Sequence, residues 1–457
     1  MPRLVHDRTT WVSYGQLGVW GFFLYGFGPV VPLLRDEQGT TAAVAGLHST
    51  AIAVGSLAGG FLFPPLARWL GRGRAAWLGL AGVALGVAGL CAFRPLPATL
   101  SAVVVAATFG MLLVSGVNAT LAGRHGPAAP AAISEANAAC AGMGVLAPIV
   151  VGLTVSAGRG WRPALAVEIG LIALLALGAV VFRTPARSAG APQAGSAGPV
   201  PARSTPAGSA GALPPGPAGP VPAGPVPAGP VPAGPVPAGP VPAGPAGAVP
   251  APADAVGPAG AVPARPGFGR LPPAYWTAWV LLSVTGSIEV CLSLWAALEL
   301  RTSAGMSAGA ASAALAAIVA GMFLGRVVGG RIALRVAPIP LLLAAFALSG
   351  AGFTIFWTAP AAVPAVVGLL VLGMGNSLHY PLAISIALAA AGDQADRAAG
   401  YSSYSVAVGF GIAPVVLGWV ADGVGPHLAF LLLPLFIAAA VLLAVRLRRE
   451  LFAPAPA

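Results

Sequence analysis

The sequence predicts an all-α integral membrane protein with twelve transmembrane helices in two six-helix arms, joined by a long cytoplasmic linker. Three observations predict it. Of 457 residues, 57% are hydrophobic and only 8% charged, with mean hydropathy +0.87, far from the roughly 45–50% apolar and about 25% charged of soluble chains. Stretches of about 20 mainly apolar residues recur along both arms, the length needed to cross about 30 Å of hydrocarbon. Finally, a Pro/Ala/Gly/Val tract at 184–273, with GPVPA in tandem from Gly219 to Ala243, divides the two apolar regions. Proline at every second or third position fixes φ and removes backbone donors, so this tract favours extended, disordered linker over helix or sheet.

In chain order, the first arm places spans at 11–34, 43–65, 75–95, 98–121, 131–157 and 163–182. The second places them at 275–299, 308–334, 338–358, 361–390, 401–421 and 428–446. The first span is longer than a signal-peptide core and lacks a small-residue cleavage site, so it reads as a membrane helix. The expected organisation is a first six-helix unit at 1–183, the linker at 184–273, a second unit at 274–450 and a disordered tail at 451–457.

Arginine sets the orientation, because short loops rich in Lys/Arg stay in the cytoplasm. With the N-terminus inside, the outer loops hold only Arg35, Arg94, Arg159, Arg162 and Arg301. Both termini and the linker are therefore expected in the cytoplasm, with the protein in the cell membrane. The net charge of +11 does not imply nucleic acid, because the arginines lie between apolar spans and form no basic face with interleaved aromatics. The chain has no lysine, which excludes a Walker A lysine or a lysine Schiff base. Cys91, Cys140 and Cys291 support neither a disulfide framework nor a metal site. No nucleophile, base and orienter set can be assembled, so an enzyme is not expected. The expected partners are the lipid bilayer and a small-molecule substrate, with the protein acting as a monomer. No cofactor is expected, and a proton gradient is the energy source.

The arms repeat one another. Span five reads GMGVLAPIVVG and span eleven GFGIAPVVLG, with Pro148 and Gly152 matching Pro414 and Gly418, 266 residues apart. The same shift superposes Gly55 and Gly59 on Gly321 and Gly325, whereas LLVSGVN and LVLGMGN, ending at Asn118 and Asn376, match at a shift of 258. Ordered internal similarity of this kind is the trace of a structural repeat.

The loop after span two, PPLARWLGRGR, keeps Gly71, Arg72 and Arg74 of a known signature but has Arg68 in place of its acid. The equivalent second-arm loop, GRVVGGRIALRV, keeps Gly325, Arg326, Gly330, Arg331 and Arg335, with Leu334 at the acid's position. On these motifs the sequence resembles the major facilitator superfamily of transporters over everything except the linker and extreme termini. The resemblance implies two pseudo-symmetric six-helix bundles that rock about a central cavity lined by helices one, four, seven and ten. Span five resembles in part a Gly- and Pro-containing pattern of antiporters, but span eleven carries it too, and helix packing through small residues explains both. The stretches SIEVCLSLW and NSLHYPL look like poorly characterised members, some of them sugar-permease-like.

Polar residues in the implied cavity helices are the candidate pathway. Glu289 lies well inside span seven, where a charged carboxylate costs about 2.5–3.5 kcal/mol and must be neutralised, paired or facing water. A proton-carrying role is one reading and a protonated, structurally bonded Glu the other. His379 sits in span ten with Asn376, Tyr380 and Pro381, where the proline can break the helix and expose polar backbone. His379 is expected either to meet Glu289 or substrate, or to be satisfied by a backbone carbonyl. Asn118 is a polar group near the place in span four where the family often carries arginine. Trp20, Tyr25 and Trp295 are candidates for stacking on a ring-bearing solute, whereas Trp11 and Tyr14 suit an interfacial belt. Glu168 is expected to pair with Arg162.

Pseudo-symmetry sets Arg72 and Arg74 against Asp393 and Asp396, and Arg331 and Arg335 against Glu135, as an inner gate of charge pairs. The function these features predict is secondary active transport of a small organic solute, proton-coupled and leaning to efflux. The alternatives are an uptake permease for a sugar or other neutral solute and a non-transporting membrane receptor.

Overall fold

The first helix, α1 (Arg8–Gln38), starts where Asp7 accepts a hydrogen bond from the Thr10 amide at 2.9 Å, and it stops at Gly39, whose φ of 60° suits a residue without a side chain. Helices α2 (Ala42–Leu70), α3 (Arg72–Ala92), α4 (Leu96–His125), α5 (Ala129–Ser156) and α6 (Arg162–Val181) complete the first bundle. Gly71 alone, at φ 83°, joins α2 to α3. The computed structural model describes Leu4, His6–Val181, Arg270–Ala333 and Arg335–Phe452. Nearly all of the expected linker, Leu334 and the end of the tail therefore lie outside the described residues.

The second bundle holds α7 (Pro273–Thr302), the pair α8 (Ala308–Ala314) and α9 (Ala316–Ala333), α10 (Pro338–Trp357), the pair α11 (Ala362–Asn376) and α12 (His379–Ala391), α13 (Ala395–Val424), α14 (Pro426–Ala429) and α15 (Leu432–Phe452). Joined pairs count as one crossing, so the described residues provide twelve helices long and apolar enough to span a membrane. The fold is all-α, as the sequence predicts.

Burial sorts these helices by position. The apolar windows of α1, α7 and α4 are 83%, 72% and 61% buried, against 17% for α6, so the first three form the centre and α6 turns most of its apolar surface outward. The break between α11 and α12 follows from Pro381. Its ring cannot donate to the Ser377 carbonyl four residues earlier, and the helix is interrupted at Ser377 and Leu378.

Glycine contacts show the internal repeat directly. Gly55 and Gly59 of α2 press on the backbone at Val104 and Thr108 of α4, while Gly321 and Gly325 of α9 press on Leu370 and Met374 of α11. Gly86 of α3 meets Ala106, and Gly352 of α10 meets Leu372. All these partners are 266 positions apart, which corrects the 258-residue match of spans four and ten. That match was led by two asparagines which occupy different places in their bundles: the counterpart of Asn376 is Gly110, and that of Asn118 is Ile384.

Candidate functional site

Helices α1, α2, α7, α12 and α13 meet around a cavity of about 60 Å³ between the bundles. Its polar lining comes from Tyr25, Glu289, Ser293 and Tyr380, set among apolar residues that include Phe27 and Phe410. The bundles come this close because Gly28 of α1 packs on the backbone of Ser293 in α7, where a Cβ would collide. Solute sites usually offer about 300 Å³ or more, so this cavity is well below that size.

Glu289 is half-buried and, among the described residues, makes no hydrogen bond or ion pair. Arg326 of α9 is not among the residues that line this cavity. Arg326 is half-buried, its Nε is shielded from solvent without a partner, and it forms no ion pair with Glu289. Met322, one turn earlier on α9, lines a small neighbouring space that shares Tyr25 and Ser293 with the main cavity. The cavity thus holds a carboxylate without an ion pair, with the Tyr25 and Tyr380 hydroxyl-bearing rings in the same lining.

The other candidate residues lie elsewhere. His379 is buried against α10, its Nε2 3.1 Å from the Ser349 hydroxyl and its ring 4.5 Å from that of Phe346. It does not line the cavity. Trp20 fills the space left by Gly110 on α4 and stacks on Phe23 at 5.6 Å. Trp295 is buried and donates from Nε1 to the Pro414 carbonyl at 3.1 Å. Asn376 is buried with both amide atoms unpartnered, and Asn118 is half-buried with its Oδ1 unpartnered among the described residues. Glu168 is fully buried with both oxygens unpartnered, while Arg162 binds Glu37 at 2.6 Å instead.

At the end carrying the N-terminus, Glu135 accepts from His6 at 2.6 Å and from the Tyr14 hydroxyl at 3.0 Å. Arg72 donates to the Ala119 carbonyl at 3.3 Å. Arg74, Arg331 and Arg335 are exposed, and the side chains of Asp393 and Asp396 lie outside the described residues.

The opposite end carries a latch that the sequence reading missed. Asp422 of α13 accepts hydrogen bonds from the amides of Ala42 and Ala43 at 2.7 and 2.9 Å, taking up donors that the first turn of α2 leaves unsatisfied. Arg301 pairs with Asp36 across the bundles at 2.7 Å. Deeper, the Ser49 and Thr50 hydroxyls donate to the carbonyls of Phe410 and Gly411 at 2.6 and 2.5 Å. Gly46 and Gly418 let α2 and α13 approach this closely, and Gly152 against Gly309 does the same for α5 and α8. Asp36, Arg301 and Asp422 lie in the last turns of α1, α7 and α13, where each apolar span gives way to polar residues, a signal available in the sequence. The equivalent signal for Arg326 was its place two turns inside span eight.

The family model for the Major Facilitator Superfamily matches residues 17–403 and 278–456. No curated protein matches the sequence. Among solved structures, the chain is similar to the nucleoside transporter NupG, with 12% identity, 98% of each chain covered and a TM-score of 0.64. It is similar to a bacterial homolog of the human lysosomal transporter Spinster, at 12% identity and TM-score 0.63, with 97% of this chain and 96% of that one covered. The E. coli fucose:proton symporter FucP, in its outward conformation, aligns at 16% identity and TM-score 0.52 over 96% of this chain and 98% of its own. Identities this low speak for the fold alone.

Proposed function

The chain belongs to the major facilitator superfamily, and from that membership and the site's geometry we propose that it is a proton-coupled secondary transporter of a small organic solute, with Glu289 as the proton-carrying group. The observation that carries this reading is the unpaired, half-buried Glu289 carboxylate in the cavity between the bundles. A carboxylate held at membrane depth without an ion-pair partner is costly, and such groups mark ion and proton pathways. Binding a proton removes that cost. A single carboxylate at the bundle interface can therefore tie proton occupancy to the rocking of the bundles.

With the N-terminal end in the cytoplasm, as the arginine distribution favours, the latch of Asp422, Arg301 and Ser49 closes the outer side and the solute exchanges with the inside. The apolar walls contributed by Phe27 and Phe410 suit a solute with an apolar body. The leaning to efflux rests on the few fixed charges of the cavity spans and on the Gly and Pro pattern of span five, two of whose glycines are engaged in packing, Gly144 against Tyr25 and Gly152 against Gly309. Direction is therefore assigned by experiment. Solutes are profiled inside the cells and in the medium of the native host, with and without the gene. A compound that stays unconsumed in the medium when the gene is removed marks uptake, and one that builds up inside marks export. Identical profiles under conditions where the protein is made would contradict a transport role.

A further inference from the structure

A groove between α7 and α15, at the end of the molecule that carries the N-terminus, combines a basic rim with an apolar wall. We propose that it seats the headgroup of an anionic phospholipid, with an acyl chain lying along the helices beyond it. The site depends on the membrane fold and not on the transport reading.

The groove holds about 750 Å³, and its lining includes Arg270 just before α7, Trp276 and Val280 of α7, Tyr401 of α13, and Leu443 and Arg446 of α15. Arg270 is exposed and makes no hydrogen bond or ion pair among the described residues. Arg446 is exposed too, and its Nε donates to Glu450 at 2.7 Å. That bond uses one of five guanidinium donors, so the terminal nitrogens remain available. Two guanidiniums against the single carboxylate of Glu450 leave this edge with net positive charge. A phosphodiester matches it, because the guanidinium fork donates to two phosphate oxygens at once.

The apolar wall argues for a lipid rather than a free anion. Trp276 and Val280 are 45% and 43% exposed, and the path from Pro273 to Val280 runs about 10 Å along α7, from the headgroup level toward hydrocarbon. The Tyr401 and Trp276 rings lie 6.1 Å apart, and Trp and Tyr favour that interfacial level. With the N-terminal end in the cytoplasm, the groove opens to the leaflet whose surface is negative. The linker is a poor competitor for the seat, since residues 184–269 contain Arg187, Arg203 and Arg265 against one acid, Asp254. The corresponding groove of the first bundle, between α1 and α6, holds about 430 Å³ and has Arg8 in its lining, but that guanidinium donates to the Ala179 carbonyl. It serves as an internal control.

The test uses the full-length protein, delipidated in detergent, with thermal stabilisation as readout. The probes are dioleoyl phosphatidylglycerol and dioleoyl phosphatidylcholine, beside glycerol 3-phosphate and inorganic phosphate as anions without acyl chains. Phosphatidylglycerol is expected to stabilise the wild type well beyond phosphatidylcholine, and the free phosphates are expected to do nothing. Arg270→Gln and Arg446→Gln should each raise the half-stabilising concentration of phosphatidylglycerol about fivefold, the loss expected for one basic residue at an anionic surface. Arg8→Gln should leave it unchanged. Arg270→Lys keeps the charge and should restore part of the binding, which separates lost binding from lost folding. Equal stabilisation by phosphatidylcholine, full stabilisation by the free phosphates, an unchanged response in both Gln variants, or no response to any lipid overturns the site.

Discussion

Pro414 withholds an amide from the Phe410 carbonyl, and Ser49 of the other bundle supplies the missing donor at 2.6 Å. A proline bend in one bundle has thereby become a bonding site for the other. Ser49 is fully buried, so Ser49→Ala should leave that carbonyl unpaired only while the latch is closed, destabilising the closed state by about 1–3 kcal/mol. With the native cysteines replaced by alanine and a reporter cysteine at Ala43, Ser49→Ala should speed labelling by a membrane-impermeant maleimide. An unchanged rate would mean that the bond does not hold the latch. The residue scale is also where sequence reading is weakest. His379 and Tyr380 are adjacent, and one is turned onto Phe346 while the other lines the cavity. Which of the two meets a solute depends on how the short helix after Ser377 rotates, and composition carries no record of that. Trp20 and Trp295 illustrate the same point, since large aromatics fill seats left by small residues such as Gly110 as readily as they line a cavity.

At the scale of elements, the span positions were legible because hydrocarbon thickness imposes a length that few other structures need. The interruption after Asn376 was legible too, since Pro381 has a fixed mechanical consequence. The register of α4 on α11 was not. Two asparagines in similar surroundings suggested a shift of 258, whereas the close glycine contacts require 266. Arg326 was assigned to a loop signature through its neighbours Gly325 and Arg331, although α9 continues past it to Ala333. The linker admits a direct prediction at this scale. Its GPVPA repeats far exceed the span needed to join two neighbouring bundles, and loop closure depends only weakly on length. Deleting two whole repeats between Gly219 and Ala243 should change the transport rate by less than about twofold, measured as initial uptake or export in cells at equal expression. A large loss would give the tract a role beyond tethering.

For the whole molecule, the bundles touch through glycine and close at one end through Asp422, Arg301 and Ser49. These contacts are few, polar and local, which suits an interface that opens and shuts without disturbing either bundle. The chain's apolar character and internal repeat foretold a two-bundle membrane protein. The latch was hidden because its pairs join residues more than 250 positions apart, a separation at which one sequence offers no pairing rule. The central claim is that Glu289 carries the proton that drives solute movement. It is tested most directly in liposomes holding the purified full-length protein, using the solute identified by profiling in the native host. Net movement under an imposed proton gradient is measured beside exchange of labelled for unlabelled solute at equal pH. Wild-type protein should do both, and Glu289→Gln should keep exchange while losing gradient-driven accumulation. Accumulation by Glu289→Gln at the wild-type level would contradict the account.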